Sequence, residues 1–246
     1  MADVAGRDRL IVALDVPSVG EARQLVSRLG DTVTFYKIGL ELLFAGGLDF
    51  VSELRHKHKR VFLDVKLLDI GNTVERAIAN IAELGVTCVT IHGTDLKTLR
   101  AAVAGRRRSP LKLLAVTVLT NLTQDDLGEQ GIGVPLAELS MSRARMAKEA
   151  GIDGVIASGQ EAARIRTELG SGLLIVTPGI RLAGGTTDDQ ERVTTPRNAI
   201  EAGADWIVVG RPITRADDPK VVADAFVQHI DSARPFGTVS RNGSDG

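Results

Sequence analysis

Val61-Phe62-Leu63-Asp64-Val65-Lys66 is a short apolar run that ends in charged residues, and it is one of eight such runs in the chain. Val, Phe and Leu suit a pleated, buried surface. Runs of this length, separated by stretches of helical period, are the pattern of βα units repeated on a parallel sheet. The eight are Leu10 to Asp15, Val33 to Gly39, Val61 to Lys66, Val86 to His92, Leu113 to Thr120, Gly154 to Ser158, Leu173 to Pro178 and Trp206 to Gly210. Between them, Val19 to Leu29, Val74 to Leu84, Leu136 to Ala150 and Val221 to Ala233 carry the Ala, Leu and Val spacing of helices that lay one face on a sheet. Gly30, Gly85, Gly151, Gly170 and Gly203 stand where several helices should end in a left-handed C-cap. Eight units predict an α/β fold, a single (β/α)8 (TIM) barrel domain over residues 1–246, with frayed ends at 1–8 and 235–246. A doubly wound open sheet is the competitor. It would usually place a glycine-rich dinucleotide loop after its first strand, where this chain has Asp15-Val16-Pro17-Ser18.

A length of 246 residues with 43% hydrophobic content suffices for a barrel with a large core. Thirty basic side chains against 31 acidic ones create no global field that favours nucleic acid or an anionic membrane, so the expected partner is a small molecule held by local groups. The single cysteine, Cys88, excludes an intramolecular disulfide and reads as a buried, inert thiol. Met1 to Arg9 is polar and lacks an apolar signal core, and no later stretch approaches spanning length; a cytoplasmic protein is expected. No His/Cys cluster has the spacing of a zinc site, so no metal is expected.

Barrel chemistry sits at the C-terminal ends of the strands, and the polar residues of this chain gather there. Run one ends in Asp15, run two carries Lys37, run three Asp64 and Lys66, run four His92, run five Thr120, and run eight Gly210-Arg211. Side chains alternate along a strand, so Asp64 and Lys66 face the same side, toward the barrel axis. Lys37 on the neighbouring strand reaches Asp64, and Asp69 follows three residues after Lys66, a spacing that predicts a cluster of alternating charges. Desolvating such a cluster opposes folding by several kcal/mol per ion, which favours a functional reading over a polar plug that only fixes register. A second constellation comprises Thr177-Pro178-Gly179-Ile180-Arg181 and Val208-Val209-Gly210-Arg211-Pro212, at the two strands where barrels commonly bind phosphate. Gly179 and Gly210 allow close backbone approach, and Arg211 offers a forked pair of charged hydrogen bonds. Between these two sites, Leu182 to Gln190 is a polar stretch suited to closing over a substrate, with Gln190 able to touch a phosphate.

Asp64-Val65-Lys66-Leu67-Leu68-Asp69-Ile70-Gly71-Asn72-Thr73 resembles the Asp-x-Lys-x-x-Asp signature of the orotidine 5'-phosphate decarboxylase family. Asp15, Tyr36-Lys37-Ile38-Gly39, Val116 to Thr120, Thr177 to Arg181, Gln190 and Val209 to Pro212 recur in family order, so the resemblance covers most of the chain. It implies decarboxylation of orotidine 5'-monophosphate to uridine 5'-monophosphate, the final step of de novo UMP synthesis, without metal or organic cofactor. By that resemblance Lys66 delivers a proton to C6 and Asp64 lies against the departing carboxylate. Lys37 and Asp15 hold ribose hydroxyls and the charge network, which Asp69 completes. Thr120 would read the pyrimidine, with Arg181, Gln190, Gly210 and Arg211 around the phosphate. The resemblance also implies a homodimer in which Asp69 and Thr73 reach into the partner's site. Gly71 stands where many members have proline, and Leu68 replaces a commonly polar residue; neither departure touches a charged role.

Two other readings fit parts of the same pattern. Related barrels, the 3-keto-gulonate-phosphate decarboxylases and hexulose-phosphate synthases, share Asp-x-Lys-x-x-Asp but use Mg²⁺ with an acidic ligand near the position of Lys37, a residue that would repel a cation. A silent phosphate-binding barrel would keep Gly179, Gly210 and Arg211 but would have no need of Lys66 with two aspartates.

Overall fold

The computed structural model describes residues 4–182, 194–234 and 236–237. Its strands are β1 (Leu10–Ala13), β2 (Phe35–Gly39), β3 (Arg60–Leu67), β4 (Cys88–His92), β5 (Lys112–Val116), β6 (Gly154–Ile156), β7 (Leu174–Thr177) and β8 (Trp206–Val209). All pair in parallel in sequence order, and β1 pairs with β8 to close the barrel. Closure leaves no sheet edge exposed. The fold is thus the eight-stranded barrel with alternating helices that the sequence predicts.

Local chemistry explains the alternation. The helices Val19–Leu29 and Leu136–Ala150 form where the sequence places them. Ser18 begins the first by accepting a hydrogen bond from the Glu21 backbone N–H at 3.2 Å, which satisfies one of the free donors of its first turn. Asp95 and Asp218 do the same for Leu96–Arg106 and Pro219–Asp231. Gly151 ends Leu136–Ala150 at φ 82, ψ 26, the left-handed cap that glycine adopts without steric penalty.

Period-two alternation divides the apolar residues into two layers. Outward-facing strand residues such as Val12, Ile38, Val89 and Ile175 pack with Leu25, Ile78, Leu99, Ala144 and Phe226 of the helices. Inward-facing residues, among them Ile11, Phe35, Phe62, Cys88, Leu114 and Val208, fill the barrel. Phe35 meets Trp206 edge to face with centroids 5.2 Å apart, and the Arg60 guanidinium lies 4.4 Å over the Phe35 ring. Cys88 is fully buried in this interior, and burial pushes its thiol well above the usual range, so it is protonated as expected of an inert core residue.

The expectation of a frayed start is corrected from Gly6 onward. The Gly6 N–H donates to Asp231 Oδ1 at 2.7 Å, and Arg60 Nη2 donates to the Asp8 carbonyl at 2.8 Å, which ties the segment to the last helix and to β3. Apart from 236–237, the expected frayed end at 235–246 lies outside the described residues.

Candidate active site

Along β3 the inward positions run Arg60, Phe62, Asp64, so the strand passes from the Phe35 layer through the core to a carboxylate at its C-terminal end. On β2 the matching series is Phe35, Lys37, Gly39, with Gly39 in register with Asp64. Asp15 lies just beyond β1. These three positions place Lys37 Nζ 2.8 Å from Asp15 Oδ1 and 3.3 Å from Asp64 Oδ2. Lys66 Nζ adds the fourth charge, 2.9 Å from Asp64 Oδ1. The result is a chain of alternating charges, Asp15, Lys37, Asp64, Lys66. Gly39 makes room for it: a Cβ there would stand 3.0 Å from Lys37 Nζ and 3.1 Å from Asp15 Oδ1.

The sequence expectation that Asp64 and Lys66 share one side is met, but by a route that simple alternation does not describe. Between Leu63 and Leu67 the β3–β4 register slips, so this stretch of β3 faces only Val89 to Ile91. Lys66 sits in the resulting bulge at φ 49, a conformation that non-glycine residues seldom adopt. The bulge re-aims the side chain into the cavity at the barrel mouth while Asp64 stays in the regular part of the strand.

Asp64 and Lys37 are each only 9% exposed, so their ionisation is set by one another. Burial works against the charged form of Asp64. Lys37, Lys66 and hydrogen bonds from Lys66 and Thr90 outweigh it and hold the carboxyl below the usual carboxylate range. Burial likewise works against the Lys37 ammonium, but Asp64 and Asp15 raise its pKa above the ordinary lysine value. Both groups therefore carry their charges at neutral pH, and without the other Lys37 would keep only Asp15 and Asp64 only Lys66 as a charged partner.

The cavity above this network has a volume of about 420 Å³. Asp15, Lys37, Asp64, Lys66, Thr120, Arg181, Gly210 and Arg211 all line it, so most of the residues singled out from the sequence converge on one space. Its apolar wall includes Val116, Val118, Leu119 and Ile156, and its cationic side includes Arg181 and Arg211. Arg181 is buried and also donates to the carbonyl of Ile180 at 2.9 Å. Gly179, at φ 74, forms part of the same wall. Such an arrangement can hold an anion at one end, a flat apolar body along one wall, and a reacting centre over paired ammonium and carboxylate groups.

Asp69 and Thr73 do not join this cavity within the single chain. Asp69 is exposed and its Oδ1 accepts the Ile70 backbone N–H at 2.6 Å, while Thr73 is exposed on the helix Gly71–Glu83. The second carboxylate of the intrachain network is thus Asp15 rather than Asp69. Gln190 and the stretch 183–193 lie outside the described residues. Ser158 points elsewhere, its hydroxyl donating to Glu161 at 2.8 Å.

Sequence reasoning missed Thr90 and Arg215. Arg215 lines the cavity one helical turn after Arg211 and could have been found from that spacing. Thr90 carries hydrogen bonds to both Asp64 and Lys66. Its signal was an inward parity on β4, two residues before His92.

Comparison with known proteins places this geometry. Residues 8–226 match the family described as orotidine 5'-phosphate decarboxylase / HUMPS. The orotidine 5'-phosphate decarboxylase of Rhodopseudomonas palustris strain BisA53 is 52% identical over 227 residues, covering 92% of this chain and 96% of the relative. That of Afipia carboxidovorans is 53% identical over 224 residues, 91% of this chain and 95% of the relative. The crystal structure of orotidine 5'-phosphate decarboxylase from Lactobacillus acidophilus superposes with a TM-score of 0.80 at 39% identity, covering 90% of this chain and 98% of that one. By its barrel, its sequence and its relatives, which are carboxy-lyases, the chain belongs to the orotidine 5'-phosphate decarboxylase / HUMPS family.

Proposed function

We propose that this chain converts orotidine 5'-monophosphate to uridine 5'-monophosphate and CO₂, the final step of de novo UMP synthesis, using its own side chains and no metal or organic cofactor. The observation that carries this reading is the Asp15–Lys37–Asp64–Lys66 network on the cavity floor. Loss of CO₂ from C6 of a pyrimidine leaves an electron pair in an in-plane orbital that the ring's π system cannot absorb well. Stabilisation must therefore come from outside the ring, and a fixed ammonium group supplies it. Lys66 balances the developing charge, then donates a proton from Nζ to C6, so that the C6–CO₂ bond is replaced by C6–H and the amine is left neutral until it regains a proton from water. Asp64 lies against the departing carboxylate and holds Lys66 in place.

Lys37 argues against the metal-dependent branch of the family. Its ammonium stands between Asp15 and Asp64, where a divalent cation would need ligands, and it is held charged by both. Arg181, Gly210, Arg211 and, from the stretch outside the described residues, Gln190 are assigned to the phosphate, and Thr120 to the pyrimidine. Offered orotidine 5'-monophosphate, the protein is expected to yield UMP and CO₂ in equal amounts. Turnover of a 3-keto-gulonate phosphate with Mg²⁺, and none of the nucleotide, would overturn the reading.

The phosphate is remote from the breaking bond, yet its binding energy can position the reacting atoms. Arg211→Ala is expected to lower kcat/KM by about 10²- to 10³-fold, the worth of one or two charge-assisted hydrogen bonds, with an unchanged thermal unfolding curve. An unaltered kcat/KM would remove Arg211 from the phosphate site.

The same reading makes the enzyme a homodimer in which Asp69 and Thr73 complete the partner's site. Support comes from Leu68 and Ile70, exposed apolar residues on either side of Asp69, and from Phe44, which is 86% exposed on the neighbouring βα connection. Apolar exposure of this kind favours a covering partner. Sedimentation at falling concentration measures it. The cytoplasm is the proposed compartment; among the described residues no helix is long and apolar enough to cross a membrane.

A further inference from the structure

We propose that Thr90 is the positioning residue of this site: through its single hydroxyl it fixes both the Asp64 carboxylate and the backbone turn that aims Lys66. The inference rests on the decarboxylase reading above and goes beyond the residues that reading assigns.

Thr90 is fully buried on β4, facing the bulge of β3. Its Oγ1 lies 2.8 Å from Asp64 Oδ1 and 3.0 Å from the backbone nitrogen of Lys66. A hydroxyl has one proton. An ionised carboxylate can only accept and a backbone N–H can only donate, so the direction of both bonds is fixed: Lys66 N–H donates to Thr90, and Thr90 O–H donates to Asp64. Asp64 Oδ1 also accepts from Lys66 Nζ at 2.9 Å. The four groups close a ring in which one lysine is gripped twice, at its backbone through Thr90 and at its ammonium through Asp64.

Each grip answers a physical need. Between Leu63 and Leu67 the β3–β4 ladder is interrupted, and a backbone N–H left there needs an acceptor outside the ladder. The Thr90 hydroxyl takes that donor. The same bond supports the φ of 49 at Lys66, which a non-glycine residue keeps only when its surroundings hold it. On its other side, the hydroxyl donates to Asp64 and favours the ionised carboxylate. Valine has the shape of threonine and cannot do either.

The charges around Asp64 come from several elements. Lys37 faces it from β2, with Asp15 beyond that ammonium, and Lys66 faces it from β3 itself. Cys88 on β4 is a protonated thiol. His92, also on β4, is kept neutral at pH 7 by burial, with Lys66 and Arg143 pushing the same way. Of the uncharged groups in this set, Thr90 is the one that donates a hydrogen bond to Asp64.

The test is Thr90→Val and Thr90→Ser in the full-length enzyme, assayed with orotidine 5'-monophosphate across pH. Thr90→Val is expected to lower kcat by about ten- to a hundred-fold, the worth of one hydrogen bond to a charged group, with a smaller change in KM. The acid limb of its kcat profile should move to higher pH, because the carboxyl loses a donor that favours its ionised form. Thr90→Ser keeps the hydroxyl and should recover most of the rate and the wild-type acid limb. A purely structural role would alter unfolding temperature without moving that limb. Wild-type kcat and an unmoved acid limb in folded Thr90→Val would overturn the assignment. If Thr90→Val does not fold, Thr90→Ser and Thr90→Ala form the comparison, and equal rates in that pair would overturn it equally. Failure of the wild-type enzyme to decarboxylate the nucleotide is a separate outcome, which removes the function and not merely the role of Thr90.

Discussion

Lys66→Ala is expected to lower kcat/KM for orotidine 5'-monophosphate by about 10⁴-fold or more, because it removes a general acid and a preorganised positive charge together. The fold should survive. The Lys66 side chain is about a third exposed at the cavity, and its loss leaves Asp64 with Lys37 and Thr90 as partners. The variant should still bind UMP, since the phosphate end of the cavity is untouched. Steady-state kinetics beside a UMP titration separates these effects. A rate within tenfold of wild type would mean that C6 takes its proton from another group.

Asp64→Asn should damage both activity and stability. The substitution keeps the size of the side chain and its contact with Thr90, but it leaves the buried Lys37 ammonium with Asp15 alone. Removing one partner of a buried ion pair is destabilising by about 3 kcal/mol, and kcat should fall by about 10²-fold or more as Lys66 loses its anchor. The pH dependence has a definite sign. The carboxyl of Asp64 is held below its ordinary range in the folded state, so its contribution is present above the pKa of the unfolded chain and is lost as pH falls through the folded value. The stability gap between wild type and Asp64→Asn is therefore expected to be full at neutral pH and to close in acid. Denaturant unfolding at neutral pH and in acid measures it; a gap independent of pH would show that Asp64 acts through packing rather than charge.

Much of this molecule is legible in the sequence because a barrel strand repeats one rule. Alternation places Asp64 inside, and the apolar runs locate every strand, though the hydrogen-bonded ladder stops short of Asp15, Thr120 and Ser158. Those residues leave the sheet to line the mouth or to cap a helix. The rule fails where the backbone departs from it. At Lys66, period two gives the right direction for the wrong reason, since a bulge at positive φ aims the side chain. Asp69 is three residues from Lys66 in sequence, but β3 ends at Leu67 and the chain turns outward, so proximity in sequence does not become proximity in the cavity. Thr90 was hidden by its type: threonine suits any strand, and only the facing Asp64 and bulged Lys66 give its hydroxyl a task. Spacing can bring residues to one face, but it cannot reveal which buried donor a bulge has left without a partner.

The most direct measurement is the loss of orotidine absorbance when purified protein meets orotidine 5'-monophosphate in excess EDTA, with Lys66→Ala as the control. Rapid decarboxylation by the wild-type protein, undiminished by the chelator and abolished in the variant, is expected. No turnover by folded wild-type protein, or turnover that EDTA removes, would contradict a cofactor-free lysine decarboxylase.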